Sequence, residues 1–365
     1  MQHHSVEQLD RYWMAHALSL AVRSQETSPN PMVGAVIIGR DQTIIGEAWH
    51  IRAGESHAEI HAITSVERQE SLRGATLYVT LEPCHHEGRT PPCTSTIIKS
   101  GISRVVVCCS DPNPLVSGRG IAALREAGIT VDVGVEEAQG RWINRRFICF
   151  HEKRRPYIVL KWAKTIDGFI ARLDGSSRWI SGEESRRRVH QWRVEEDAIL
   201  VGTNAAVVDN PALTARLVTG RNPLRVILDR TGRVPLTHQV FDGAAPTLVI
   251  GTPRPGLSPE LFVDLPPDQD PLRTALEVLH NRSALSVLIE GGSAVLNSCL
   301  TAGLWDEARV FIGGQSFGSG VPAPHITAAA SAREELVGDD TLKIWYHRAG
   351  EFFPVTSPNR VTERS

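Results

Sequence analysis

Thr76-Leu77-Tyr78-Val79-Thr80-Leu81-Glu82-Pro83-Cys84-His85-His86-Glu87-Gly88-Arg89-Thr90-Pro91-Pro92-Cys93 is the stretch from which the chain is read. The apolar run Thr76–Leu81 predicts a buried strand. The Pro- and Gly-rich residues behind it predict a loop, and a helix is expected from Cys93 to Lys99. A strand passing through a loop into a helix is one unit of a layered α/β domain.

Working outward, the alternation continues. Val6, Leu9, Trp13, Ala17 and Leu20 fall on one helical face over 6–21, and Ser28-Pro29-Asn30-Pro31 breaks that pattern. Val33–Ile38 reads as a strand and Ile44–His50 as its hairpin partner. A helix over 57–68, a strand over Arg104–Cys109, a helix over Gly120–Ala127 closed by Gly128, and a strand over Ile129–Val133 follow. Residues 136–150 form an amphipathic stretch (Trp142, Ile143, Phe147) whose apolar surface would suit a homo-oligomer interface. The charged run His151–Arg155, ending at Pro156, sets the expected boundary between a domain over 1–150 and another over 156–365. The second domain repeats the α/β pattern, with strands at 157–163, 198–201, 225–228, 247–250, 286–289, 308–312 and 342–346. Its helices fit 183–196, 271–281 and 294–302. Residues 253–271 read as an exposed Pro-rich loop and the last dozen residues as a frayed tail.

At 365 residues the chain has room for two domains. Lys+Arg 39 against Asp+Glu 41 leaves a net charge of −2, which gives no global electrostatic reason to bind nucleic acid or an anionic membrane. No stretch approaches the roughly 20 apolar residues of a membrane span. Met1–Glu7 is polar, so a reducing, cytoplasmic setting is expected. In that setting the six cysteines are read first as metal ligands or core residues rather than disulfides. Cys108, Cys109, Cys149 and Cys299 carry no partner signal and read as core.

His57-Ala58-Glu59 and the pair Cys84 and Cys93 are different. One imidazole and two thiolates suit Zn²⁺ and leave its fourth tetrahedral position for water, which the metal acidifies. Glu59, two residues from His57 at the start of a predicted helix, is placed to carry a proton from water to a leaving amine. A Cys84–Cys93 disulfide, or a closed structural site using His85 or His86, are the competing readings; a structural site has no need of Glu59. His-x-Glu followed by Pro-Cys…Cys is the pattern of zinc-dependent nucleobase deaminases.

The eight-residue spacing between Cys84 and Cys93 makes the resemblance narrower. With Pro29–Gly34, Gly54–Glu59, Asp111-Pro112-Asn113-Pro114 and Gly118-Arg119-Gly120, it resembles the deaminase half of the bifunctional riboflavin-biosynthesis deaminase–reductases. Lys161, Asp167-Gly168, Ser177–Ser181, Asp209–Arg216 and Ile289-Glu290-Gly291-Gly292 resemble that family's reductase landmarks, in order. The resemblance runs over roughly residues 9–350. It implies a cytidine-deaminase-like three-layer domain followed by a dihydrofolate-reductase-like domain. It also implies zinc-dependent deamination of a phosphorylated diamino-ribosylamino-pyrimidinone, then reduction of the ribosyl group to ribityl with NADPH.

By that resemblance His57, Cys84 and Cys93 hold zinc, Glu59 is the acid/base and Asn30 meets the pyrimidine. Ser177, Arg193, Leu213, Arg216 and Glu290 match substrate-contacting positions. Ala163, Trp179, Ala205, Asp209, Gly292 and Ser293 match cofactor-contacting ones. Arg193 and Arg216 would be suitable bidentate donors to the substrate phosphate. The strand Val287–Glu290 leads through Gly291-Gly292 into a helix whose N-terminus can receive a phosphate. The chain departs from the family at Phe169, where Lys or Arg is usual, and at Ala205, where Thr is common; both bear on cofactor affinity. The alternatives are a nucleic-acid deaminase of the tRNA-adenosine type, and a deaminase whose reductase half is degenerate.

Overall fold

The computed structural model describes residues 5–24, 27–85, 92–114, 116–177, 179–253, 255–256, 258–327 and 329–347. Among these the chain divides into two units, one running to Glu152 and the other beginning at Lys153.

The first unit opens on a capping box. The Ser5 hydroxyl accepts from the Gln8 N–H, and the Gln8 side chain accepts from the Ser5 N–H, satisfying two otherwise unpaired donors at the start of α1 (Val6–Ala21). β1 (Gly34–Ile38) and β2 (Ile44–Trp49) form the expected antiparallel hairpin. They are followed by α2 (Ala58–Thr64), β3 (Thr76–Val79), α3 (Cys93–Ser100), β4 (Arg104–Val107), α4 (Arg119–Glu126) and β5 (Thr130–Val133). The sheet order is β2-β1-β3-β4-β5, with β3, β4 and β5 mutually parallel. Leu77, Val79, Val105, Val107 and Val131 meet Ile97, Ile121 and Leu124 in one core. Each contributes about 1.5–3 kcal/mol by leaving water. Gly34 lets α1 lie against β1, because a Cβ there would sit 2.0 Å from the Ala17 carbonyl oxygen.

The expected helix over 57–68 stops at Thr64, and a 3₁₀ turn at Gln69–Leu72 follows. The stretch 136–150 is not one helix. It divides at Asn144 into α5 (Glu137–Ile143) and α6 (Arg145–Lys153). Asn144 is drawn inward, where its amide bonds both the N–H and the carbonyl of Met32 at 2.8 Å. Ile143, Phe147 and Ile148 are buried, and Arg145 lies 4.2 Å from the Trp142 ring, so the expected exposed apolar face is not there. α6 also runs into the charged stretch at which the domain boundary is expected.

The second unit contains β6 (Tyr157–Thr165), β7 (Phe169–Ala171), α7 (Glu183–Glu195), β8 (Ala198–Gly202), α8 (Thr203–Asp209), β9 (Leu224–Asp229), β10 (Thr247–Gly251), β11 (Phe262–Val263), α9 (Pro271–Asn281), β12 (Ser286–Gly291), α10 (Ser293–Ala302), β13 (Glu307–Gly313), β14 (Val321–Pro322), β15 (Ala329–Val337) and β16 (Asp340–His347). Nine strands form one sheet in the order β11-β10-β9-β8-β12-β6-β13-β16-β15. It is parallel from β11 to β13 and closes with the antiparallel pair β16 and β15. The central strands are buried on both faces, which explains their continuous apolar runs. β7, β11, β14, β15 and α8 are additions to the expected list. β11 and the buried Leu265 show that the segment read as an exposed loop partly joins the sheet edge. The residues expected to form a frayed tail lie outside the described ones.

Candidate active sites

In the first unit the parallel strands point their C-terminal ends at one cavity of about 200 Å³, the usual place for ligands in open α/β sheets. Glu82 and Cys84 follow β3, Asp111 and Asn113 follow β4, and His57 caps α2. Cys93 begins α3. His57 Nδ1 lies 3.2 Å from Cys93 Sγ and 3.6 Å from Cys84 Sγ, and the three ligand atoms all fall within 4.8 Å of one another. A tetrahedral centre with Zn–S of about 2.3 Å and Zn–N of about 2.1 Å needs separations of about 3.5–3.8 Å. The donor set therefore fits zinc. Both cysteines are free thiols, and His85 instead meets Thr94 Oγ1 at 3.0 Å. His86 lies outside the described residues.

Cys84 is pushed well down by its hydrogen bonds with Cys93 and His57. Cys93 is pushed up by its bond to Cys84 and by burial, and His57 is raised chiefly by Cys84. Glu59, 3% exposed, lies in the first turn of α2, and burial pushes its carboxyl up. Asn30 lines the same cavity, with its amide nitrogen 3.3 Å from His50 Nε2. His50 Nδ1 lies 3.3 Å from the Ser56 carbonyl, so Nδ1 is the donor and Nε2 accepts from Asn30. Burial lowers the pKa of His50. Burial also pushes the Asp111 carboxyl up to about 6. His50, Glu82 and the roles of Asp111 and Asn113 were not singled out from the sequence. The one available signal was a glutamate ending an otherwise apolar strand.

The second unit holds a cavity of about 680 Å³ at the C-terminal ends of β6, β8 and β12. All eleven residues expected there line it: Ser177, Arg193, Leu213, Arg216, Glu290, Ala163, Trp179, Ala205, Asp209, Gly292 and Ser293. Arg193 does not offer its fork to the cavity. Nε and one Nη bond the two Glu290 oxygens at 2.7 and 2.8 Å, and the other Nη donates to the Thr214 carbonyl at 2.9 Å. Arg216 lines the same cavity and is exposed. Burial pushes the Glu290 carboxyl up, but Arg193 and Lys161 hold it below its ordinary range overall. Lys161 is pushed down by burial, against the pull of Glu290. His190, unnoticed in the sequence, is pushed down to about 4 by burial and by Arg193 and Arg216.

Trp179 is 57% exposed and carries the Arg186 guanidinium 4.5 Å from its ring. Arg187 and Arg188 instead pair at the surface with Glu183 and Glu335. Ser177 Oγ donates to Asp209 at 3.2 Å. Of the two departures, Ala205 lines the cavity, whereas Phe169 lies in β7 paired with Pro322.

Residues 7–109 match the cytidine and deoxycytidylate deaminase zinc-binding region, and residues 156–332 match the RibD C-terminal domain. With the sites above, these make the chain a two-domain enzyme, a zinc-binding deaminase joined to a reductase. It is 45% identical over 324 residues to riboflavin biosynthesis protein RibD of Aquifex aeolicus, covering 87% of this chain and 90% of that one. It is 37% identical to the Escherichia coli RibD, covering 85% and 89%. A crystal structure of a diaminohydroxyphosphoribosylaminopyrimidine deaminase/5-amino-6-(5-phosphoribosylamino)uracil reductase from Thermotoga maritima superimposes with a TM-score of 0.83 at 36% identity, over 94% of this chain and all of that one. RibD of Acinetobacter baumannii gives 0.83 at 35%, over 93% and 99%. The chain belongs to the RibD family of bifunctional riboflavin-biosynthesis enzymes. Its units have the expected cytidine-deaminase-like and dihydrofolate-reductase-like folds. The two domains imply zinc and a nicotinamide cofactor. No helix among the described residues is long and apolar enough to cross a membrane.

Proposed function

We propose that the first domain hydrolyses the exocyclic amine of 2,5-diamino-6-ribosylamino-4(3H)-pyrimidinone 5′-phosphate, and that the second reduces the ribosyl group of the product to ribityl with NADPH. The observation that carries this reading is the set His57, Cys84 and Cys93 around one point, with Glu59 on the same cavity wall. Zinc, held by those three side chains, would supply the Lewis acidity that makes water nucleophilic near neutral pH. Glu59 takes a proton from the attacking water and hands it to the departing nitrogen. The C–N bond breaks, a carbonyl forms, and ammonia leaves. Asn30, its nitrogen engaged by His50, turns its carbonyl oxygen to the pyrimidine and accepts from a ring or exocyclic N–H.

In the second domain the bound nicotinamide cofactor would supply the hydride that reduces C1′ of the ribosyl group. The ring C–O bond opens, and the freed oxygen takes a proton; Lys161, half-buried on the cavity wall with Glu290, is the candidate donor. Arg216 binds the phosphate, and Ser177, Leu213, Glu290 and Arg193 shape the substrate side. Ala163, Trp179, Ala205, Asp209 and the Gly292-Ser293 turn take the cofactor. A domain boundary near 150–156 and a cytoplasmic location complete the proposal.

A nucleic-acid deaminase is not favoured, because the likeness to deaminase–reductases runs through both halves. Mass spectrometry of the pyrimidinone phosphate with zinc-loaded protein tests the proposal. Amine-to-oxo conversion is expected without NADPH, followed by a gain of two hydrogens with it. Deamination with no subsequent reduction would leave the reductase half degenerate, and no conversion at all would refute the reading.

A further inference from the structure

Glu82 lies in the segment between β3 and Cys84, and it is 4% exposed. Its two oxygens accept four backbone N–H groups, all from the chain that follows β4. Oε2 takes Asp111 at 3.2 Å and Gly118 at 3.0 Å; Oε1 takes Gly120 at 2.9 Å and Ile121 at 3.2 Å. An ionised carboxylate is acceptor-only, with about four lone-pair sites, so this set saturates it. The approach is close enough to require glycine. A Cβ on Gly120 would stand 2.0 Å from the Pro83 carbonyl oxygen, and Gly118 turns the chain at φ +74°. The same arm carries Asp111, Asn113 and Val116 on the deaminase cavity wall. The Asp111 side chain accepts from the Asn113 N–H at 2.8 Å.

We infer that Glu82 is a positioning residue for deamination: through four backbone bonds it sets the Asp111–Asn113 arm against the metal-ligand segment, and so fixes where the substrate lies relative to Glu59. This deepens the reading of the cavity as the deaminase site and rests on it. It assigns Glu82 to substrate placement and not to proton transfer.

Glu82→Gln tests it. An amide replaces one acceptor oxygen by a donor facing two N–H groups, which releases part of the arm while keeping the side chain's shape. KM for the pyrimidinone phosphate is expected to rise at least tenfold with kcat within threefold, zinc at one per chain and the reductase rate unchanged. In an Asn113→Ala background the same change is expected to raise KM less than twofold, because the arm no longer offers the contact that Glu82 places. A fall in kcat at unchanged KM, or KM effects that multiply in the double variant, would overturn the assignment. Gly120→Ala displaces the arm from Pro83 without altering Glu82 and is expected to reproduce the KM effect; it decides the matter if Glu82→Gln does not fold. Amide exchange needs no substrate and keeps the inference separate from the activity reading. The Gly118, Gly120 and Ile121 amides are expected to exchange at least tenfold faster in Glu82→Gln, and unchanged exchange would overturn the clamp even in a protein that deaminates nothing.

Discussion

Glu290→Gln gives the most direct test of the reductase site. Glu290 faces Arg193 across two bonds of 2.7 and 2.8 Å, with each side chain about one-tenth exposed. Lys161 and His190 also act on it. Removing its charge leaves Arg193 and Lys161 sharing one corner with the anion between them gone. Charge-assisted bonds contribute about 1.5–3 kcal/mol each, and breaking one partner of a buried pair costs about 3–5 kcal/mol. Both routes lead to a loss of about 3–5 kcal/mol in the second unit. For a unit of this size, that lowers Tm by about 6–20 °C. Native-state hydrogen exchange on peptides covering 157–165 and 286–291 reads the loss on the strands that flank the pair. Deaminase activity at 25 °C serves as an internal control and is expected to persist. The double variant Arg193→Met/Glu290→Leu should recover part of the stability and no reductase activity, because Arg193 is then no longer buried without its partner, although Lys161 still loses Glu290. A loss below about 1 kcal/mol in Glu290→Gln would falsify the account of this corner as a tightly desolvated pair.

Three further outcomes are expected. His190 has its pKa pushed down to about 4 in the fold, below its ordinary value near 6.5. The unfolded chain therefore takes up a proton first as pH falls, so the stability held above pH 6.5 is lost on going from 6.5 towards 4. The loss at pH 5 is about 2 kcal/mol, and urea melts of wild type against His190→Gln at pH 7 and pH 5 should show it only in the wild type. Gly34→Ala drives a methyl group into the Ala17 carbonyl and should cost the first unit at least about 1–3 kcal/mol, read by its urea midpoint. Stripping zinc with a chelator should abolish ammonia release while reduction of already deaminated substrate continues, since hydride transfer makes no use of that metal; equal loss of both rates would contradict two separate sites.

Elements that carry their own instructions were legible in the sequence. The spacing of Val6, Leu9, Trp13, Ala17 and Leu20 marked α1, and the apolar runs of β6, β8, β12 and β13 marked strands buried on both faces. The metal set was legible because its residue types have few other uses in that arrangement. What escaped notice was set by distant contacts. Asn144 splits a helical pattern only because Met32 is there to receive its amide. β15, Ala-Ala-Ser-Ala-Arg-Glu-Glu-Leu-Val, is an edge strand whose pairing with β16 has no apolar alternation to announce it. Arg193 was expected to hold a phosphate, yet it spends its fork on Glu290, 97 positions later in the chain. His190 and Glu82 look like ordinary helix and strand-end residues until the fold surrounds them.

The order of strands in the second sheet also sets a timetable. β6 is made early, but its neighbours are β12 and β13, whose residues begin at Ser286 and Glu307. The first sheet is complete by Val133. On the ribosome, the deaminase half can therefore fold while the reductase half still lacks the partners of its central strand. Such long-range parallel pairing is slow and leaves apolar edges open until it closes. Nascent chains halted between about residues 200 and 285 should accordingly bind zinc while drawing chaperones to the unpaired β6.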